Sequence, residues 1–207
     1  MIRMGLPKGV VKQRSFQLIE SYLGHGVNRQ QLWFTDGKDM SFYLLKHRDI
    51  PRLIASGQLD CGITSTEWIE EFELSFETIA ELDWCDTRIS VISPEAAPAL
   101  EKNELTCITE FPRIANKYFS RFPSKRVKIE SVSGSSEALV PSLYDCCVDC
   151  IETGATLAHN NLREEAVIYR SKVVFVSNRR QAGNLNDFVH ILKKLEMTNE
   201  ETVTYGV

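Results

Sequence analysis

The sequence predicts a mixed α/β fold: two lobes of mostly parallel sheet with flanking helices, linked by two crossing strands, with a cleft between the lobes. Three observations carry this expectation. Apolar runs of strand length alternate with helical periodicity along the chain, the pattern of βαβ units. Extended stretches near residues 84–92 and 169–176 stand where a chain would cross from one lobe to the other and back. No repeat, low-complexity tract or long linker interrupts the alternation. The expected lobes are residues 1–88 plus 172–207, and residues 89–171.

Ile2 to Leu6 reads as the first strand, and Pro7 as the opening of a helix. Its apolar face is Val11, Ser15, Leu18, Ile19 and Tyr22. Gly24 and Gly26 stop it. Leu32-Trp33-Phe34 and Ser41 to Leu45 flank Asp36-Gly37, a turn signal that predicts an antiparallel hairpin. A helix is expected from Asp49 to Ser56, a strand from Leu59 to Thr64, a short helix from Thr66 to Phe72 and an extended segment from Phe76 to Leu82. The second lobe reads as strands Ile89–Ile92, Leu105–Ile108, Val127–Val132 and Cys146–Ile151, with helices at Pro112–Phe122, around Glu137 and after Thr153. Val173 to Val176 is the last strong strand. The stripe Leu185, Phe188, Val189, Leu192, Leu195 is the last helix and is expected to pack on the first lobe.

With 207 residues, 43% hydrophobic and 25% charged, the chain can bury a core without disulfides or a structural metal. A formal net charge of -4 with well-mixed signs supplies no broad basic surface for nucleic acid or for an anionic membrane. The N-terminus lacks the apolar stretch of a signal peptide, and no window has membrane-spanning length, which predicts a cytoplasmic protein. Cys147 and Cys150 match C-x-x-C, yet residues three apart on a strand point to opposite faces and cannot chelate one ion. The six cysteines are therefore read as buried small hydrophobes. His25, His47, His159 and His190 show no ligand spacing, and Arg48 and Arg52 are read as a solvated helix face.

The sharpest signal lies between Cys146 and Leu157. A hydrophobic strand ends in Asp149 and Glu152, and then Thr153-Gly154-Ala155-Thr156-Leu157 opens a helix. The first amides of a helix have no acceptor of their own and favour an anion. Gly154 lets the backbone approach a phosphate closely, and Thr153 and Thr156 add hydroxyl donors. Asp149 and Glu152 are unsuited to phosphate but suit ribose hydroxyls, or a Mg²⁺ ion held through the same ligand. A plain N-capping threonine with a turn glycine is the simpler alternative.

This loop resembles the phosphoribosyl-pyrophosphate loop of the ATP phosphoribosyltransferases, and other segments match that family in order. They are Leu6-Pro7-Lys8-Gly9, Arg48-Asp49-Ile50-Pro51, Leu59-Asp60-Cys61-Gly62-Ile63, Thr87-Arg88, Thr109-Glu110-Phe111-Pro112, Ser133-Gly134-Ser135-Ser136-Glu137 and Ser177-Asn178-Arg179. Departures fall at Val10, at Lys46 and at Ser65-Thr66-Glu67, where the family carries an arginine, an arginine and Gly-Lys-Asp.

The resemblance implies a periplasmic-binding-protein-like (type II) fold. It implies transfer of 5-phosphoribosyl to N1 of ATP with release of pyrophosphate, a Mg²⁺ requirement and a place at the first step of histidine biosynthesis. It also implies a homo-oligomer and, for a chain that ends near the last helix, a separate regulatory subunit resembling a histidyl-tRNA synthetase. Thr153 to Leu157 would hold the 5-phosphate, and Asp149 with Glu152 the ribose hydroxyls or Mg²⁺. Lys8 and Arg88 would face the pyrophosphate or triphosphate. Ser133, Gly134 and Glu137 would form a second turn for an anion or hydroxyl, with Glu137 counted beside Lys8 and Arg88 among the catalytic candidates. Simpler readings stand next to these: Lys8 as a solvated lysine, Arg88 paired with Asp86, and Ser133 to Glu137 as a capping box. The departures leave two further functions open, a paralogue using another nucleobase or heterocycle and a non-catalytic two-lobed ligand-binding module.

Overall fold

In the computed structural model, residues 1–178, 185 and 188–193 are described. Arg179 of the Ser177-Asn178-Arg179 match and Leu195 of the last apolar stripe lie outside them. Two compact units divide the chain: Met1–Ile69 with Glu73–Cys85 and Lys172–Val207, and Glu70–Phe72 with Asp86–Ser171.

Unit 1 is built on β1 (Ile2–Pro7), β2 (Trp33–Thr35), β3 (Met40–Leu45) and β4 (Cys61–Ser65), with α1 (Lys12–Leu23), α2 (Asp49–Ala55) and α3 (Thr66–Glu71), whose last two residues belong to unit 2. Strand β1 runs parallel to both β3 and β4, and β2 pairs with β3 as the antiparallel hairpin that Asp36-Gly37 signals. The turn closes because Asp36 Oδ1 accepts the amides of Lys38, Asp39 and Met40 at 2.8, 2.9 and 3.1 Å. The first helix starts at Lys12, five residues later than Pro7 suggests. Gly9 at φ 82° turns the backbone into the left-handed region, so the helix begins only beyond it.

Two long strands, β5 (Glu77–Pro94) and β9 (Leu162–Ser177), contribute residues to both units. Each exceeds its sequence expectation. In β5 the polar run Asp83 to Thr87 hides the continuity of the extended backbone, and only Ile89 to Ser93 is continuously buried. In β9 the charged start Arg163-Glu164-Glu165 does the same. The end of β9 pairs antiparallel with β4, from Ser65↔Val173 to Cys61↔Ser177. Its alternate residues serve opposite faces, as the two-residue period requires. Phe175 joins Met4, Leu6, Phe16, Phe42 and Phe188 in one core, whereas Val174 and Val176 pack with Ile50, Ile54 and Leu59 of the α2 side. Residues 188–193 are helical, with Phe188 and Leu192 buried in the first of these cores.

Unit 2 contains β6 (Glu104–Thr109), α4 (Pro112–Phe119), β7 (Arg126–Ser131), β8 (Cys146–Ile151) and α5 (Ala155–His159). Parallel pairs join β6 to β7 and β6 to β8, and β8 runs antiparallel to β5. Helix α4 is closed by a partner invisible in its own sequence: Glu71 accepts the Arg113 and Ile114 amides at 3.0 Å each. The helix expected around Glu137 is a 3-10 turn, Ser136–Leu139, after Gly134 and Ser135 at φ 82° and 53°. Its N-cap residue, Ser135, makes no side-chain capping bond. The cysteines are free; Cys147 is buried and Cys150 exposed, which confirms opposite faces but corrects the expectation that every cysteine is buried.

Candidate functional site

Strand β8 is buried at Cys146, Cys147, Val148 and Ile151, and its polarity changes where it emerges at Asp149. Leu157 and Ile151 are anchored in the unit 2 core, and between them the loop carries exposed Glu152, Thr153, Ala155 and Thr156. Gly154 sits at φ 78°, ψ 1°, a conformation in which a β-branched residue is strained. The helix that follows has only five residues. Its dipole is correspondingly small, and the weight of an anion site falls on the loop's own amides and hydroxyls.

A cavity of about 250 Å³ opens beside this loop, lined by Glu137, Asp149, Glu152, Thr153, Gly154, Thr156 and Leu157, together with Ile92, Cys150 and Ile151. Seven of the residues singled out from sequence are thus brought together. Ala155 belongs to the loop without lining the cavity. Ser133 and Gly134 precede the 3-10 turn and contribute no lining, whereas their neighbour Ser136 donates its hydroxyl to Asp149 Oδ2. Cys150 N–H donates to the other oxygen, Oδ1, at 2.7 Å. Burial nevertheless raises the Asp149 carboxyl to about 6, against the lowering by these two donors, and nearby Glu137 pushes the same way.

Arg88 lies in unit 2 with a defined set of partners. Its Nε and Nη2 donate to Glu164 Oε1 and Oε2 at 2.6 and 2.9 Å, and Nη1 reaches the Glu152 carbonyl at 3.2 Å. The pair raises the arginine and lowers Glu164, chiefly through the shared hydrogen bonds. Glu164 was missed in the sequence because its partner is 76 positions away. Lys8 belongs to unit 1, at the end of β1, where its amide donates to Leu45 O at 2.7 Å. Its ammonium has no hydrogen-bond or ion-pair partner among the described residues.

Unit 1 holds two more features that sequence reasoning passed over. Arg48 is half-buried, with its guanidinium over the Trp68 ring, 5.3 Å from the centroid, while Arg52 is exposed as expected. Burial lowers His47 to about 4, so its ring is neutral at ordinary pH, and its Nδ1 is buried with no hydrogen-bond partner among the described residues. The substituted stretch Ser65-Thr66-Glu67 is internally paired, with Ser65 Oγ donating to the buried Glu67 carboxylate at 2.5 Å. No group of three or more His, Cys, Asp or Glu among the described residues could hold a metal. A Mg²⁺ ion would therefore arrive on a phosphate ligand, the usual manner for this ion. The exposed carboxylate of Glu152 at the cavity is a fitting outer partner for it.

The fold defines the chain as a mixed α/β protein of two compact units, a fold shared with solved structures of low sequence identity. The structure of Tv2483 bound to L-arginine matches it with a TM-score of 0.64 and 15% identity, over 98% of this chain and 86% of that one. A higher score, 0.82, comes from the ATP phosphoribosyl transferase (HisG:HisZ) complex of Thermotoga maritima, 23% identical over 96% of this chain and 100% of that one. Within this class the sequence selects one family. The profile described as HisG: ATP phosphoribosyltransferase matches residues 46–197, and the chain belongs to that family. The ATP phosphoribosyltransferase of Pelotomaculum thermopropionicum is 30% identical over 188 residues, 86% of this chain and 65% of that one. That of Helicobacter hepaticus is 30% identical over 185 residues, 86% and 88% of the two chains. The chain thus spans about two thirds of some curated relatives and most of others. Among the described residues no helix is long and apolar enough to cross a membrane.

Proposed function

We propose that the protein transfers 5-phosphoribosyl from phosphoribosyl pyrophosphate to N1 of ATP and releases pyrophosphate, the first step of histidine biosynthesis. The observation that carries this reading is the unit 2 cavity, where a Thr-Gly-x-Thr loop faces two carboxyl groups, Asp149 and Glu137, in a chain of this family. The Thr153 to Leu157 segment holds the 5-phosphate through amides and hydroxyls. Asp149 accepts from the ribose hydroxyls. As the C1–oxygen bond to pyrophosphate breaks and the C1–N1 bond forms, positive charge grows on the ribose, and the carboxylates of Asp149 and Glu137 stabilise it. Little covalent machinery is required, because orientation of donor and acceptor supplies a large share of the rate.

Glu152 would hold Mg²⁺ through the bound donor, and the ion would supply charge neutralisation for the departing diphosphate. Lys8 is assigned to the pyrophosphate or the acceptor triphosphate on its charge and its lack of a described partner. A homo-oligomer and a histidyl-tRNA-synthetase-like regulatory subunit complete the proposal. The subunit draws support from the matched HisG:HisZ complex.

The test is pyrophosphate release with phosphoribosyl pyrophosphate, Mg²⁺ and ATP, run beside a panel of other nucleobases and nucleotides. Release with ATP is expected, and Gly154→Val is expected to lose donor binding while keeping its far-ultraviolet spectrum, because φ 78° excludes valine from an otherwise exposed loop. Release only with another base assigns a different acceptor. Failure of the wild type to bind the donor at all would sink the transferase reading and favour a plain ligand-binding module of the Tv2483 kind.

A further inference from the structure

The donor loop has a tether that lies outside it. Arg88 stands opposite Ile151 in the antiparallel pairing of β5 with β8, which puts its guanidinium beside Glu152, the first residue of the loop. Glu164 on β9 takes the Nε and Nη2 edge of the guanidinium in a forked contact, 2.6 and 2.9 Å long. Ser90, two residues along β5 and so on the same face, donates to the same carboxylate at 2.6 Å. With this edge fixed, Nη1 is left directed at the Glu152 carbonyl at 3.2 Å. Both side chains of the pair are about three-quarters covered, at 27% and 25% exposure. A lysine could not make this arrangement, since a single ammonium lacks the planar fork.

The Glu152 carbonyl and the Thr153 amide share one peptide plane, and in a trans peptide they point in opposite directions. Holding the carbonyl on the Arg88 side therefore turns the Thr153 N–H away from Arg88. We propose that Arg88 and Glu164 form a positioning pair that aims the first amide of the phosphoribosyl loop, with Glu164 keeping the guanidinium on the loop backbone instead of releasing it to the ligand's phosphates. The inference rests on the donor reading above. It also replaces direct pyrophosphate contact as the part played by Arg88, whose charge Glu164 already balances.

The two roles predict different responses to one mutation. If Arg88 positions the loop, Glu164→Gln frees it to move and weakens donor binding. If Arg88 instead contacts the donor, removing its carboxylate partner strengthens or spares that binding. The experiment is calorimetric titration of the wild type, Arg88→Lys, Glu164→Gln and the double variant with phosphoribosyl pyrophosphate and Mg²⁺, alongside thermal melts and steady-state KM values. Each single variant is expected to weaken donor affinity about 10- to 100-fold, the scale of a small misplacement of a binding group. The double variant is expected to be no worse than either single one, because the pair acts as a unit. The KM for the donor should rise while that for the acceptor stays, with fold intact by circular dichroism. Ser90→Ala, which removes one neutral partner of Glu164, is expected to produce the same change more weakly. Unchanged or tighter donor binding by Glu164→Gln overturns the positioning role. Absence of donor binding by the wild type overturns the donor reading itself, a separate result.

Discussion

At the scale of single residues, Asp149 links the candidate site to stability. Burial and the neighbouring Glu137 raise its carboxyl from 3.8 to about 6, so the folded chain keeps a proton that the unfolded chain has released between those values. Stability therefore falls as pH rises from about 4 to 6, and the full cost stands above that window. Asp149→Asn removes the charge while keeping an acceptor, and the Ser136 hydroxyl can turn to accept in its place. The variant should be more stable than the wild type at pH 8 by on the order of 2 kcal/mol, with little difference near pH 4. Thermal melts of both proteins across that range check this, and a difference independent of pH would refute it. The same residue shows what was legible in advance. Asp149, Glu152 and the Thr-Gly-x-Thr loop are contiguous, so strand, acid and turn chemistry could be read together. Ser136 and Glu164 could not be found that way, because each acts through a partner brought near only by the tertiary fold.

Secondary-structure elements were legible where periodicity and punctuation agreed. Strand β8 has the limits expected of it, and the Asp36-Gly37 hairpin and the Asp49 helix differ by a residue or so at their ends. The long strands were the exception, since β5 and β9 pass through polar stretches that break the alternation without breaking the extended backbone. What the patterns could not reveal is how closely α2 approaches the sheet. Gly5 and Gly62 are paired neighbours on β1 and β4. A Cβ at Gly62 would meet Ile50 Cγ2 at 2.7 Å and the Gly5 carbonyl oxygen at 2.8 Å. The side-chain contact can relax, but the backbone oxygen is held in the sheet. Gly62→Ala is accordingly expected to destabilise the protein by about 1–3 kcal/mol through overpacking. Chemical denaturation would measure it. A midpoint unchanged from the wild type would show that β1 and β4 can separate at no cost.

For the whole molecule, the cores of the two units draw on the same two strands. Leu82 of β5 and Val173 and Phe175 of β9 are buried in unit 1, while Ile92 of β5 and Leu162 of β9 are buried in unit 2. Melting unit 2 alone would release one end of both strands, and the remaining halves would have to stay ordered without their continuation. The cost of such a partly folded chain favours a single cooperative transition. The proposed donor offers a way to test this, because its loop, Asp149 and Glu137 all belong to unit 2. A ligand at a hundred times its Kd stabilises the folded state by about 2.7 kcal/mol, which for a chain of this size raises Tm by roughly 5–10 °C. Calorimetry with phosphoribosyl pyrophosphate and Mg²⁺ should therefore show one peak that moves as a whole, including the part of the signal that comes from unit 1. Trp33, Trp68 and Trp84, all the tryptophans of the chain, lie in unit 1, so a fluorescence melt that follows the calorimetric shift would report that unit 1 responds to a ligand held by unit 2. Two peaks with only one displaced would mean that β5 and β9 join the units without making them fold together.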